Sequence, residues 1–247
     1  MVLSSLISTE RVALVTGALL IVLLAKRGYT IIHNQYVASP LTSQQSAATS
    51  KPEATELEAL ETNAPVSVNY FPSRRCNYTC GFCFHTDTSP FILPDDQVKK
   101  GLRLLQEAGM RKLNIAGGEP FLNPRLIGRI VKYCKEDLKV ESVSIISNGS
   151  KIPESWMERY AQYLDILAIS CDSFHADTNR SIGRGDGEGN VDRLFKIAEW
   201  CKKYDVKFKL NTVINKYNWN EDMTTEIEKL RPFRWKVFQC LIVAGEN

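Results

Sequence analysis

Residues 67–85 read SVNYFPSRRCNYTCGFCFH, a short apolar run followed by a loop with three cysteines in eight residues. The run at 67–71 predicts a first β-strand, because valine and aromatic side chains favour extended backbone. The loop spaces Cys76, Cys80 and Cys83 as C-x3-C-x2-C. Thiolates at this density bind a soft metal centre or form a redox pair. The stretch therefore predicts a strand that leads into a metal-binding or redox loop.

A short apolar run followed by a longer helical period recurs along the rest of the chain. Further strands are predicted at 113–116, 142–147, 166–170, 207–213 and 235–243, and helices at 94–109, 124–135, 153–163, 191–203 and 221–230. This alternation predicts a parallel sheet with helical crossovers. The fold class is therefore α/β, a partial (β/α)6 barrel whose site lies at the carboxyl ends of the strands.

Composition limits the classes of protein that this chain represents. Its 247 residues are 44% hydrophobic and 24% charged, with a formal net charge of +3. These values fit one globular domain with an appendage and exclude collagen-like, fully disordered and multi-span membrane chains. The small net charge predicts no nucleic-acid partner. Seven cysteines, an odd number, argue against a disulfide framework.

The first 37 residues are predicted to associate with a membrane. An apolar run at 12–25 precedes Lys26 and Arg27, but a spanning helix needs about 20 apolar residues. A short signal-anchor, an interfacial helix and a cleaved signal peptide are the three interpretations. The run lacks a polar face, and the two cations favour an anchor that leaves the remaining chain on the cytoplasmic side.

Residues 38–65 are predicted to form a flexible linker between this segment and the folded domain at 66–247. The linker is rich in serine, threonine, glutamine and alanine, then in glutamate, and it has no aromatic residue. Such a segment buries too little apolar surface to offset the entropy of ordering, so it is expected to be disordered.

Two kinds of metal centre are considered for the cysteine loop. Three thiolates are one fewer than an ordinary electron-transfer cluster uses, so a four-iron cluster would keep one iron open to a chelating ligand. An amino acid's amine and carboxylate could serve as that ligand. The alternative is structural zinc with His85 as the fourth ligand. Zinc sites usually pair ligands from two separated knuckles, and this favours the cluster.

The ends of the next three strands carry small polar residues. The second strand leads into Gly117-Gly118-Glu119-Pro120, where the glycines would let the backbone approach a ligand and Glu119 could accept from an amine. A simple βα turn is the other interpretation. The third strand ends at Ser147 and Asn148, and the fourth at Ser170. Asp172, just beyond, is either near the site or a cap of the next segment.

Basic residues on the last two strands predict a pocket for a polyanion. Alternation places the polar side chains of each strand on one side. They are Lys207, Lys209 and Asn211 on the fifth strand, and Arg234 and Lys236 on the sixth. Cations that face inward on neighbouring strands would bind a triphosphate. Solvent-facing charges at strand starts are the alternative. A glycine-rich loop at 182–189 adds Arg184, and this loop suits either an anion or a mobile surface segment.

The motifs together resemble the radical S-adenosylmethionine superfamily, whose signatures include C-x3-C-x-aromatic-C after the first strand and a GGEP motif. Within it, five stretches resemble the antiviral viperin family, and the resemblance covers 66–247. The stretches are 76–85, 145–149, 163–174, 182–185 and 234–241.

The resemblance implies the cofactors, the site residues and the reaction. Cys76, Cys80 and Cys83 would ligate a [4Fe-4S] cluster. The predicted S-adenosylmethionine contacts are Phe82, Gly117, Gly118, Glu119, Ser147, Asn148 and Ser170. The predicted substrate contacts are Arg184, Lys209, Asn211, Arg234 and Lys236.

The reaction that the resemblance implies is dehydration of a nucleoside triphosphate. A 5′-deoxyadenosyl radical takes the C4′ hydrogen of CTP, an electron is added, and the 3′-hydroxyl leaves as water, which gives the chain terminator 3′-deoxy-3′,4′-didehydro-CTP. UTP or another triphosphate is an alternative substrate. A catalytically inactive, membrane-tethered protein that binds nucleotide or other proteins is a further alternative.

The resemblance also implies a cellular setting. An electron donor and the cytosolic iron–sulfur assembly machinery are the expected partners. The cytoplasmic face of the endoplasmic reticulum or of a lipid droplet is the expected location. Two features depart from the family. The first segment is more uniformly apolar than the family's amphipathic helix, and family members continue beyond Asn247, so this chain is predicted to be truncated at its C-terminus.

Overall fold

The computed structural model describes residues 65–185 and 187–247, whose strands form one six-stranded sheet. The strands are β1 (Ser67–Tyr70), β2 (Lys112–Ile115), β3 (Ser142–Ser147), β4 (Ile166–Ser170), β5 (Lys207–Ile214) and β6 (Arg234–Gln239). Their order in the sheet is the order in the chain, and every neighbouring pair is parallel. All carboxyl ends therefore lie along one edge, and β1 and β6 are the two outer strands.

Helices occupy the connections between the strands. Those of the described residues are α1 (Asp95–Glu107), α2 (Pro124–Glu136), α3 (Glu154–Tyr160), α4 (Ala176–Ile182), α5 (Asn190–Lys203) and α6 (Thr224–Leu230). Short 3-10 turns cover Pro120–Leu122 and Ala161–Tyr163. The sequence sets the start of α2 locally. Pro124 is its first residue, and the Asn123 side chain caps the helix by accepting a hydrogen bond from the Leu126 amide.

The core lies between the sheet and these helices. On β3, Val143 and Ile145 are fully buried, while Ser142 and Ser144 are partly exposed. Ile127 and Val131 of α2 belong to the same buried cluster. Burial of each such side chain contributes about 1.5–3 kcal/mol. The core fixes the strands, and the strands position their carboxyl-terminal loops.

The predicted α/β partial barrel is confirmed, and the structure differs from the sequence-based expectation in three local details. The sixth strand ends at Gln239, before its predicted end at 243. Helix α4 was not predicted, because its sequence ADTNRSI has no apolar periodicity. Asp172 does not cap that helix, whose N-cap is His175. Instead, Asp172 is fully buried and bonded to Arg184.

The predicted membrane segment at 1–37 and nearly all of the predicted linker at 38–65 lie outside the described residues, so both remain predictions. Within residues 65–185 and 187–247, no helix combines the length and apolar character that crossing a bilayer requires.

Candidate functional site

The backbone at Gly117–Glu119 holds the entrance to the cysteine loop. The Gly118 amide donates to the Ser73 carbonyl at 2.9 Å, and the Glu119 amide donates to the Arg75 carbonyl at 2.7 Å. A Cβ on Gly118 would clash with that carbonyl of Arg75. Gly117 has a φ of +124°, and a Cβ there would clash with the Ser73 carbonyl. The room that these glycines leave is therefore filled by the chain's own backbone, and their contact with a cofactor remains a prediction.

Gly118→Ala is expected to displace the residues before Cys76, because the added Cβ meets backbone rather than a flexible side-chain end. Forcing the two segments apart breaks two backbone hydrogen bonds, so a loss of about 2–4 kcal/mol in the free energy of unfolding is expected. Urea titration of the metal-free protein measures this loss. Gly81→Ala is the matched control, because its Cβ has nothing within 4 Å. Equal stability of the two variants would contradict the close packing.

Glu119 is a buried carboxylate that joins the ends of β2 and β3. Its Oε1 accepts from the Phe121 amide at 2.9 Å and from the Ser147 hydroxyl at 2.8 Å. Its Oε2 accepts from the Asn148 amide at 2.7 Å. Burial raises its pKa, although these three bonds act in the opposite direction. Glu119 thus stabilises the ends of β2 and β3 from a buried position, and Ser147, its hydrogen-bond partner, is buried as well.

A chain of polar side chains continues from Glu119 to the cysteine loop. Asn148 donates through Nδ2 to Asn77 Oδ1 at 3.0 Å, and Asn77 donates to Ser150 Oγ at 2.9 Å. The same Asn148 nitrogen lies 4.0 Å from Cys76 Sγ. The loop after β3 therefore positions the first cysteine.

The carboxyl end of α4 holds the middle of the cysteine loop. The Thr79 amide donates to the Gly183 carbonyl at 3.1 Å, and the Gly81 amide donates to the Ile182 carbonyl at 3.0 Å. Gly183 has a φ of +92°, and a Cβ there would clash with Thr79. The predicted glycine-rich loop thus begins with a glycine that ends a helix and contacts the cysteine loop directly.

Arg184 and Asp172 form a buried ion pair next to this contact. The Nε atom of Arg184 donates to Asp172 Oδ2 at 2.7 Å. Burial lowers the pKa of Arg184, but the charge and hydrogen bond of Asp172, together with the nearby Cys80 and Cys171, raise it overall. The guanidinium also lies over the Phe82 ring, with 5.8 Å between the guanidinium carbon and the ring centroid. The sequence leaves Asp172 open between a place near the site and a helix cap, and its role as the buried partner of Arg184 has no signal in the sequence pattern.

The three thiols lie on a partly exposed loop with backbone support. The Tyr78 amide donates to Cys76 Sγ and the His85 amide to Cys83 Sγ, each at 3.4 Å. Burial raises the pKa of Cys76, and raises that of Cys80 to about 11. Across 65–185 and 187–247, no three histidine, cysteine or carboxylate groups already have metal-ligand geometry.

The donor set of this loop nevertheless fits an iron–sulfur cluster. Soft thiolates are the usual ligands of iron–sulfur clusters, and N–H···S bonds of the kind seen here modulate them.

His85, the fourth ligand of the zinc alternative, packs on Phe71, with 4.7 Å between ring centroids. Its Nε2 is buried and has no hydrogen-bond partner among the described residues.

A small cavity of about 30 Å³ adjoins the loop, where Asn148 and Ser170 meet Arg184. The apolar side chains of Ile169 and Ile197 form its floor. Of the predicted cofactor residues, the structure therefore brings Asn148 and Ser170 together. It keeps Ser147 below them and places Phe82 against Arg184.

The predicted substrate residues of β5 and β6 form a strip of three cations on one face of the sheet. Lys209 lies opposite Arg234, and Asn211 lies opposite Lys236. Burial lowers the pKa of Lys209, and the charges of Lys236 and Arg234 lower it further. Asn211 is buried, and its Oδ1 has no partner within the described residues. We call Lys209, Asn211, Arg234 and Lys236 the basic strip.

Comparisons with known proteins define the class first. Residues 70–229 match the Radical SAM superfamily, and the chain belongs to this superfamily. Members use a [4Fe-4S] cluster and S-adenosylmethionine. Among solved structures, Streptococcus suis SuiB bound to S-adenosylmethionine aligns with a TM-score of 0.64 at 23% identity, over 78% of this chain and 45% of SuiB. An anSMEcpe structure with bound AdoMet aligns at 0.57 and 20% identity, over 71% and 51%. These likenesses support the fold.

Sequence relatives place the chain more narrowly. It is 56% identical over 186 residues to the S-adenosylmethionine-dependent nucleotide dehydratase RSAD2 of Oncorhynchus mykiss, covering 74% of this chain and 53% of that protein. The Danio rerio protein of the same name is 57% identical, over 74% and 52%. A Flammeovirga pacifica S-adenosylmethionine-dependent nucleotide dehydratase is 35% identical, over 73% and 64%. The chain thus spans about half the length of its fish relatives, and the resemblance predicted from the motifs is confirmed.

Proposed function

We propose that this chain carries the radical S-adenosylmethionine site of a viperin-type nucleotide dehydratase that acts on CTP. The basic strip is the observation that carries the proposal. Ser170, Asn211 and Lys236 form one row across β4, β5 and β6, so the strip continues the face that carries the predicted cofactor residues. Superfamily membership supports the cofactor, and the relatives' names support a nucleotide as substrate.

The strip has the chemistry that a triphosphate requires. Burial lowers the pKa of Lys209, and repulsion from Lys236 and Arg234 lowers it further, so an anion bound among the three cations would relieve that repulsion. Arg234 can bind phosphate oxygens with two nitrogens, whereas the lysines act as point charges. Asn211 Oδ1, buried without a partner among the described residues, is the acceptor that we assign to a ribose hydroxyl.

The remaining residues hold the cofactors in this proposal. When bound, the cluster and S-adenosylmethionine would supply the 5′-deoxyadenosyl radical that abstracts the C4′ hydrogen; one electron from the donor and one proton would then be added as the 3′-hydroxyl leaves as water. Cys76, Cys80 and Cys83 hold the iron, and the Glu119–Asn148–Asn77 bonds orient the first of them. Arg184 stays a proposed phosphate contact, although its Nε is bonded to Asp172.

Lys236→Ala is expected to weaken CTP binding about tenfold to a hundredfold, because one charge-assisted contact contributes about 1.5–3 kcal/mol. Isothermal titration of the reconstituted protein with S-adenosylmethionine present measures the affinity. Lys229→Ala is the control, since it removes the same charge from an exposed pair with Glu226 on α6. Unchanged affinity in the Lys236 variant would remove the basic strip from the substrate site.

Product analysis tests the proposed reaction itself. The reduced, reconstituted protein is given CTP, UTP, ATP or GTP, and the products are identified by mass spectrometry. 5′-Deoxyadenosine together with 3′-deoxy-3′,4′-didehydro-CTP is the expected result with CTP. The same product type from UTP alone would favour the alternative substrate. Nucleotide binding without any product would favour the catalytically inactive binding protein.

The cellular setting is part of the proposal. We place the protein on the cytoplasmic face of the endoplasmic reticulum or of lipid droplets, with the cytosolic iron–sulfur machinery and an electron donor as partners. The apolar run at 12–25 and the cations that follow it support the membrane part.

A further inference from the structure

The carboxylate of Glu246 contacts both ends of the cysteine loop. Its Oε1 accepts from Arg74 Nη1 at 2.8 Å, just before the loop. Its Oε2 accepts from the amide and the hydroxyl of Thr86, just after the loop, at 2.8 and 2.7 Å. Arg74 also donates to the Thr86 carbonyl at 3.2 Å, which completes the connection. Only 17% of the Glu246 side chain is exposed.

Asn247 adds a second connection to the same loop. Its Nδ2 donates to the Phe82 carbonyl at 2.9 Å and lies 3.4 Å from the Cys83 carbonyl. Its Oδ1 accepts from the Val243 amide at 2.8 Å, and its own amide donates back to the Val243 carbonyl at 3.2 Å. The turn at 243–247 is therefore held together before it reaches the loop.

This turn joins the two outer strands of the sheet. The cysteine loop follows β1, whereas the turn follows β6, and these strands lie at opposite edges. The Cys240 amide donates to the Ile214 carbonyl at 3.0 Å, so the segment leaves the sheet beside β5. Glu246 thus connects the segment after β6, the strand with Arg234 and Lys236, to the proposed cluster loop after β1.

We infer that Glu246 is a positioning residue for the cysteine loop. It holds the loop at both ends and connects it to the turn that follows β6. The Glu246 carboxylate accepts from three donors on two residues, Arg74 and Thr86. Such charge-assisted hydrogen bonds are roughly twice as strong as neutral ones. The bonds with the Thr86 side chain, the Thr86 amide and Arg74 lower the pKa of Glu246 to about 2, so the carboxylate is charged at neutral pH.

The inference rests on the proposed function only where it calls this loop a cluster loop. The decisive experiment therefore uses the metal-free 247-residue chain without nucleotide, and it measures hydrogen exchange by mass spectrometry. Glu246→Ala is expected to increase exchange about tenfold in peptides that cover 74–86. Peptides of β3, where Val143 and Ile145 are fully buried, are expected to exchange at the wild-type rate.

Three further variants give this experiment its contrast. Thr86→Val removes the hydroxyl and keeps the amide, so a smaller increase is expected. Glu246→Gln keeps the size and an acceptor but loses the charge, and it is expected to lie between wild type and alanine. Glu226→Gln, on the surface of α6, is the control and leaves the loop unchanged. Wild-type exchange of 74–86 in both Glu246 variants, or faster exchange of β3 and the loop alike, would overturn the inference.

Iron retention gives a second readout that is independent of activity. In protein reconstituted with iron and sulfide, Glu246→Ala is expected to lose iron to a chelator about tenfold faster than wild type, because the loop opens more often. If the wild-type protein takes up no iron, the proposed function fails. The exchange experiment still decides the role of Glu246 in that case.

Discussion

Replacing Cys80 by alanine is expected to abolish the cluster, so that anaerobically reconstituted protein stays colourless and binds almost no iron. A cube held by three thiolates has no fourth protein ligand to compensate for a lost donor. Among the described residues, the Cys80 thiol donates one long hydrogen bond, to the Gly183 carbonyl at 3.7 Å. Its replacement is therefore expected to leave the fold intact. Iron and sulfide analysis, together with visible absorption, measures the effect.

A matched control for this experiment is Cys240→Ala. Cys240 is also a partly exposed free thiol, but it follows β6 and lies outside the cysteine loop, so its variant is expected to bind iron like wild type. Full iron content in the Cys80 variant would contradict the proposed ligand set.

His85 distinguishes the cluster from the zinc alternative. Zinc coordination by the loop predicts a colourless wild-type protein that loses its metal when His85 is replaced by alanine. A cluster predicts that the same variant keeps its iron, because the His85 ring packs against Phe71 and serves as a support. Stoichiometric zinc in wild-type protein would end the proposed radical chemistry.

The strands and the basic strip were predictable because they depend on local periodicity. Alternation places Lys209 and Asn211 on one side of β5, whatever the rest of the chain does. The parallel pairing then follows from the helices between the strands. The sequence does not show that the whole of β6 is exposed, since exposure depends on what packs against the strand. The predicted end of β6 at residue 243 was wrong. Apolar Leu241 and Ile242 extend the sequence pattern of a strand, but they are exposed and lie outside the sheet.

The contacts that position the cysteine loop were much less predictable. Gly118 could be recognised as a point of close approach, but its partner, the Arg75 carbonyl, is more than 40 residues away in the chain. Glu246 lies 172 residues from Arg74 and belongs to no motif that spacing reveals. Such pairs depend on how the two edges of the sheet are brought together, which periodicity within one segment does not encode.

The Asp172–Arg184 pair has the second large expected effect. Asp172→Asn is expected to lower the free energy of unfolding by about 3–5 kcal/mol, because it leaves a buried guanidinium without its counter-charge. The asparagine can still accept from the Val213 amide, which now bonds Asp172 Oδ1 at 2.8 Å, so the lost charge dominates the effect. Urea unfolding measures this value. A total stability of about 5–15 kcal/mol makes such a loss large.

Burial explains why the Asp172–Arg184 ion pair is expected to affect stability more than an exposed ion pair with a similar N···O distance. Arg111 and Glu141 are 2.6 Å apart, but their side chains are 62% and 54% exposed, against 11% and 0% for Arg184 and Asp172. Glu141→Gln is thus the control, with an expected change of about 0–1 kcal/mol. Arg184→Met in the Asp172→Asn background is expected to recover part of the loss, since it removes the unpaired charge. If Asp172→Asn changed stability no more than Glu141→Gln, Arg184 would not depend on Asp172 as its counter-charge. A large loss would instead show that Asp172 fixes Arg184, whose neighbour Gly183 bonds the cysteine loop through Thr79.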